Sequence, residues 1–378
     1  MKKAFCRFSF LFTAAVLVFV LAFWVGCNKN PKAPEATQLA EQAPVLSKSN
    51  PRIQEVMAVQ DWHTPELMAD PNVVGTATGL TSDGQPAILI FTKTDVSAAL
   101  KKSKPIPTEI EGIPVVVEVT GEIRPLKGKP QPPPGVDHQA IQTPPIQLGT
   151  SGGWRFDLAN GYCCAGTLGS LIQVGGQKRI LSNYHVFEAD IVPGGNGIVA
   201  QTGDPIVQPG LIDVGCQAAN AQDVATLVTT SSLPYHNVDA STATIIDGMV
   251  DPTGAILEIG TLSSSTVEAA IGQSVKKSGR TTGLTRSTIS GLNGTVSVAY
   301  EDECAGSPAF TVIFTGQIII ANRGSKFLAA GDSGSLLVED VDTNPRAVGL
   351  LFAGGSQTAV ANPIDEVLDF LGATMVGN

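Results

Sequence analysis

The order of apolar runs and turn residues divides the chain into parts. Between residues 154 and 378, apolar runs recur at short spacing over 166–174, 179–184, 224–229, 242–246, 267–276, 295–300, 311–320, 335–338 and 347–352. Glycine, asparagine, serine and proline lie between them. About a dozen short strands separated by turn residues is the pattern of an all-β fold, here a pair of small antiparallel barrels. One helix is expected at the end. Asn362-Pro363 supplies a cap and first-turn pair, and Val367, Leu368 and Leu371 follow on one face.

Residues 50–127 read differently. Helical periodicity runs from Ile53 to Met68, with Thr64-Pro65-Glu66 as a fresh helix start. Strands are expected over 73–80 and 87–93 around the turn Ser82-Asp83-Gly84, and again over 113–120. Asp95 is placed as the cap of a short helix reaching Lys102. The segment is read as a small α/β domain. Its His63 stands apart from other reactive groups. Seven prolines fall between residues 125 and 145, so 128–153 reads as a stiff, solvated linker.

The first residues change the picture from a cytoplasmic protein to an exported one. Lys2, Lys3 and Arg7 precede an uncharged run of 18 residues from Phe8 to Val25. That order reads as a targeting segment over 1–27, followed by a polar tether over 28–49. Val25-Gly26-Cys27 resembles a bacterial lipobox, with Trp24 where leucine is usual. A lipid on Cys27, an uncleaved helix and plain secretion all deliver the rest of the chain outside the cytoplasm. The membrane is therefore a partner only through that anchor. Cysteine usage agrees: Cys163, Cys164, Cys216 and Cys304 suggest two disulfides with three possible pairings. Glycine and proline, at 40 and 25 residues, argue against a coiled coil, and 43% hydrophobic content argues against disorder. A net charge of −10 disfavours nucleic acid as a partner.

Three short segments carry chemistry. Gly331-Asp332-Ser333-Gly334-Ser335 offers a serine on a turn that glycine makes tight, with backbone N–H groups free to hold an oxyanion. Ile180 to Val186 is an apolar strand ending at His185, a side chain suited to take and return a proton near neutral pH. Asn237-Val238-Asp239-Ala240 offers a carboxylate to orient an imidazole. Each alone has a bland reading as a turn, packing or strand-edge residue. Their order, His185 then Asp239 then Ser333, gives them weight.

That order, with Gly-Asp-Ser-Gly at the nucleophile, resembles the chymotrypsin-like serine peptidases. The segment Lys277-Ser278-Gly279-Arg280-Thr281-Thr282-Gly283 is similar to a motif of their bacterial branch, which includes alpha-lytic protease and the streptogrisins. The resemblance covers roughly residues 162–371 and implies two six-stranded antiparallel barrels with a C-terminal helix. It implies a catalytic triad of His185, Asp239 and Ser333, with the N–H groups of Gly331 and Ser333 as the oxyanion hole. It implies an ion pair between Arg280 and Asp332, and a primary-pocket floor at Phe327, favouring small or apolar residues before the cut. The cysteines flanking the histidine and serine in animal members are absent, with Val186, Ala329 and Ala330 in their place.

The resulting expectation is an exported serine endopeptidase acting on protein or peptide substrates, as a monomer and without a cofactor or metal. The cluster Glu301-Asp302-Glu303 is read as a solvated loop rather than a calcium site. An inactive, protease-like binding protein is the alternative. An α/β-hydrolase esterase would need the order Ser–Asp–His, Gly-x-Ser-x-Gly and alternating helices; Gly331-Asp332-Ser333-Gly334-Ser335 lacks the final glycine, the order here differs and long helices are missing. Members of the bacterial branch are made with an N-terminal pro-region, and 50–127 occupies that place, so the resemblance implies a pro-domain or docking module, released by cleavage between about Gly128 and Trp154, with a permanent spacer as the plainer option.

Overall fold

The computed structural model describes residues 45–95, 105–125, 136–159, 162–188, 199–300 and 310–378. The targeting segment, the tether up to residue 44, the helix expected after Asp95, Glu301-Asp302-Glu303 and Cys304 all lie outside the described residues. Among the described residues no helix is long and apolar enough to cross a membrane.

The protein is mostly β, with two large sheets. The first runs Gly166–Leu168, Thr150–Trp154, Pro205–Gln208, Gln222–Val228, Ser241–Ile245, Gln177–Ser182, Ser170–Val174 and Ala373–Met375, all antiparallel. The second contains Ser274–Gly279, Leu336–Glu339, Ala347–Gly354, Thr358–Pro363, Phe310–Ala321 and Gly283–Tyr300 in that order. The C-terminal helix Ile364–Leu371 follows Asn362-Pro363 and stops at Gly372, whose φ of 60° suits a residue without a Cβ. The strand Ala373–Met375 then returns to the first sheet, so this sheet has eight strands rather than six.

The second sheet is longer still because the N-terminal segment joins it. Val73–Leu80 pairs antiparallel with Gly283–Tyr300, and Pro86–Thr92 and Ile113–Val119 continue outward. Glycine permits this approach: a Cβ on Gly75 would lie 2.7 Å from the Thr295 carbonyl oxygen, and one on Gly79 2.9 Å from that of Ser290. The apolar core is shared too. Val74, Leu89, Phe91 and Ile123 pack in one cluster with Val296, Phe314, Phe352 and Val360. Each such side chain contributes about 1.5–3 kcal/mol on burial, so this is a firm union. Buried Gln60 adds polar ties, donating to Thr76 Oγ1 at 3.2 Å and the Asn293 carbonyl at 2.9 Å. Residues 50–127 and 154–378, read from sequence as separate domains, thus fall in one compact unit from Ala43 to Asn378.

Two local expectations are corrected. The helix Pro51–Leu67 runs unbroken through Pro65, so Thr64-Pro65-Glu66 is its last turn and not a new start. Asn50 caps its other end by accepting from the Arg52 N–H at 2.9 Å. The linker reading of 128–153 does not hold for its later part. Ile146, Leu148 and Trp154 are fully buried, Thr150–Trp154 is a sheet strand, and His138 bonds the Gly149 carbonyl.

Candidate active site

His185 lies in the one-turn helix Tyr184–Phe187, directly after the apolar strand Gln177–Ser182 enters the core. Asp239 precedes strand Ser241–Ile245, which pairs with that same strand. The pairing register brings the two together. His185 Nδ1 lies 2.5 Å from Asp239 Oδ2, and the His185 backbone N–H donates to Oδ1 at 3.3 Å. Both side chains are buried, so the carboxylate fixes the imidazole with little competition from water.

Other groups hold Asp239 in place. Asn362 Oδ1 accepts from its N–H at 2.9 Å, and Asn183 Nδ2 donates to its carbonyl at 2.7 Å. Buried Glu188 secures the loop that leads to it, accepting from the Thr230 N–H at 2.9 Å and the Ser241 hydroxyl at 2.6 Å. Burial pushes the Glu188 carboxyl above its ordinary value, against the pull of those donors. Sequence reasoning missed one contact altogether: Tyr300 donates its hydroxyl to Asp239 Oδ2 at 2.8 Å. Burial, then the neighbouring Asp239 charge, raises the Tyr300 phenol well above its usual range.

Ser333 follows Leu328 to Asp332 on a turn that enters the second sheet. Gly331 and Gly334, at φ of 97° and 92°, carry conformations that favour glycine. Among the described residues neither the Gly331 nor the Ser333 N–H donates a hydrogen bond. Val186, the residue after His185, and the Ser333 backbone approach each other across Gly166, where an added Cβ would lie 2.5 Å from Val186 Cγ2 and 3.0 Å from the Ser333 carbonyl oxygen. The serine and histidine side chains are not joined by a hydrogen bond. The Ser333 hydroxyl donates to the Phe352 carbonyl at 3.2 Å, and buried His185 Nε2 has no partner. The dyad is thus assembled, the Ser333 backbone carbonyl lies near Val186, the residue after His185, and the serine hydroxyl faces Phe352.

The expected Arg280–Asp332 ion pair is not what the structure has. Arg280 instead grips Asp213 with two bonds, Nε to Oδ2 at 2.7 Å and Nη2 to Oδ1 at 2.5 Å. Lys277 is the cation at Asp332, 3.3 Å from Oδ2. The same carboxylate accepts from the Thr281 N–H at 2.9 Å, the Thr282 N–H at 3.1 Å and the Ala329 N–H at 2.9 Å. The Ser-Gly-Arg-Thr-Thr-Gly motif therefore does meet Asp332, but through its threonines. Phe327, read as a pocket floor, is buried in the apolar core with Val275, Leu328 and Leu351. A disulfide joins Cys163 to Cys216, which selects among the pairings left open by sequence. Cys164 is disulfide-bonded as well.

The family description Nal1 C-terminal domain matches residues 221–362, short of half the chain. Among curated proteins no relative matches. Solved structures similar to this chain include a glutamic acid specific serine protease described as using a histidine triad in substrate binding. It is 19% identical, with 61% of this chain and 100% of that one aligned and a TM-score of 0.41. Thermobifida fusca protease A is 21% identical over 62% of this chain and 99% of its own, with a TM-score of 0.38. Cellulomonas bogoriensis chymotrypsin is 20% identical over 62% and 99%, with a TM-score of 0.37.

Proposed function

We propose that the protein is an exported serine endopeptidase. The observation that carries this reading is the buried His185–Asp239 dyad, together with a serine whose turn leaves two N–H groups unbonded among the described residues. In the reaction, Ser333 rotates from Phe352 toward His185 Nε2 and gives up its proton as it attacks the peptide carbonyl. Asp239 holds the tautomer with Nδ1 protonated and stabilises the imidazolium. The N–H groups of Gly331 and Ser333 receive the oxyanion, where one donor is worth about 3 kcal/mol of barrier. The imidazolium then protonates the leaving amine, and water resolves the acyl-enzyme by the same steps.

Residues 120–125 lie along the neighbouring strand. Ala353 and Gly354 pair antiparallel with Pro125 and Arg124, and the Ser356 N–H reaches the Thr120 carbonyl. This strand edge begins one residue from Phe352. The contact supports the docking reading of the N-terminal segment, and it leaves any release cut to residues before the buried 146–154 stretch.

The unpartnered His185 Nε2 and the turned Ser333 favour, as a second reading, a protein that binds peptides without cutting them. Incubating the full chain and its Ser333→Ala variant with denatured casein separates the two. Fragments from the wild type alone support the peptidase. No fragments from either support the binding protein.

A further inference from the structure

Asp239 Oδ2 accepts two side-chain donors from opposite parts of the protein, His185 Nδ1 at 2.5 Å and the Tyr300 hydroxyl at 2.8 Å. Tyr300 is fully enclosed. Its ring stacks on Phe310 with centroids 4.9 Å apart and planes 7° from parallel, and it meets the His185 ring edge-on at 6.0 Å. The backbone beside it is pinned as well: the Ala299 N–H donates to the Ile123 carbonyl at 3.1 Å. A side chain held this firmly, with its only polar atom on the carboxylate of the dyad, does more than fill space.

We propose that Tyr300 is a positioning residue that sets the orientation and basicity of Asp239, and through it the proton affinity of His185. The proposal rests on the peptidase reading for its catalytic meaning. Its physical basis is local. A hydroxyl donating to a carboxylate draws charge from it and weakens its hold on the imidazolium. Burial keeps the phenol protonated past its ordinary range, so the donor persists at any working pH. Tyr184 also feels the Asp239 charge, along with those of Glu188 and Tyr235, and Tyr184 and Glu188 are both raised chiefly by burial. Neither donates to the Asp239 carboxylate. The contact also joins distant parts of the sequence, since Tyr300 ends the strand that Val73–Leu80 and Ile123 brace.

The test is an NMR titration of the His185 imidazole in the full chain, run beside peptide hydrolysis. Tyr300→Phe keeps the ring stack and removes the donor. The expected result is a rise of about one pH unit in the His185 midpoint, a tenfold gain in proton affinity. The acid limb of kcat/KM should move with it, and kcat should fall about tenfold with KM unchanged. Replacing Tyr300 by 3-fluorotyrosine, which leaves the packing intact and strengthens the donor, should move the midpoint down. An unchanged midpoint in the fluorinated protein, or in a folded Tyr300→Phe protein, overturns the proposal. A midpoint that shifts in the variants while the wild type cuts no peptide would defeat the peptidase reading and leave the Tyr300 linkage standing.

Discussion

The Lys277 ammonium lies 3.3 Å from Asp332 Oδ2, and neither side chain reaches water. Burial lowers the Lys277 proton affinity while Asp332 pulls it back up. Asp332 directly precedes Ser333, and the pair ties the strand Ser274–Gly279, which carries Lys277, to the nucleophile turn. Lys277 has further anchors in Thr282 Oγ1 and the Gly283 carbonyl.

Breaking a buried pair by removing one partner costs about 3–5 kcal/mol, because the other charge stays behind. Lys277→Met should lose stability on that scale in urea unfolding. A double-mutant cycle should give strong coupling for Lys277 with Asp332 and much weaker coupling for Arg280 with Asp332. Equal coupling for both pairs would contradict the arrangement.

Gly334 should tolerate no side chain. At φ of 92°, an added Cβ would lie 2.4 Å from the Thr167 carbonyl oxygen and 2.3 Å from Ser182 Oγ. The backbone cannot retreat, because the Gly334 N–H is tied to the Leu351 carbonyl at 3.0 Å. Gly334→Ala should cost at least about 1–3 kcal/mol in strain before the clash is counted. A melting temperature within a degree or two of the wild type would refute this.

Much of the site was legible because its signals are local. An apolar run ending at His185, a small-residue strand after Asp239 and glycines around Ser333 are all short patterns. What escaped depends on long-range pairing. Nothing near Val73–Leu80 names Gly291–Val296 as its partner, more than 200 residues away. The prolines near residue 130 suggested a spacer, yet Ile146 and Leu148 a few residues on are buried. Lys277 and Arg280 lie three residues apart in one motif, and only the folded strand decides which of them faces Asp332 and which faces Asp213. Tyr300 carries no motif.

Stability should decline in alkali through the buried tyrosines. Burial raises the folded-state proton affinity of both Tyr184 and Tyr300 above the ordinary value of 10.0. The folded protein therefore keeps protons that the unfolded chain begins to lose near pH 10. Their contribution is complete below that pH and is lost as pH rises beyond it. The slope approaches about 1.4 kcal/mol per pH unit for each tyrosine. Urea unfolding at pH 8, 9.5, 10.5 and 11 checks this, and Tyr300→Phe should flatten the fall.

The N-terminal segment should remain bound after its connection is cut. It shares a sheet and a core with the rest of the protein. With a specific protease site placed between residues 126 and 135, the two fragments should co-elute in gel filtration until denaturant is added. Added in excess, the separated N-terminal fragment should slow peptide hydrolysis by the larger one. Fragments that part on cutting, with no effect of one on the other, would leave the segment as a spacer only.

The central claim is that Ser333 is a nucleophile activated by His185. Reaction of the full chain with a small fluorophosphonate, followed by peptide mass mapping, tests it directly. A single adduct on Ser333 is expected, formed in the intact and the cut protein alike and lost in His185→Ala. No adduct on Ser333 in either the intact or the cut protein, or equal labelling in His185→Ala, would contradict it.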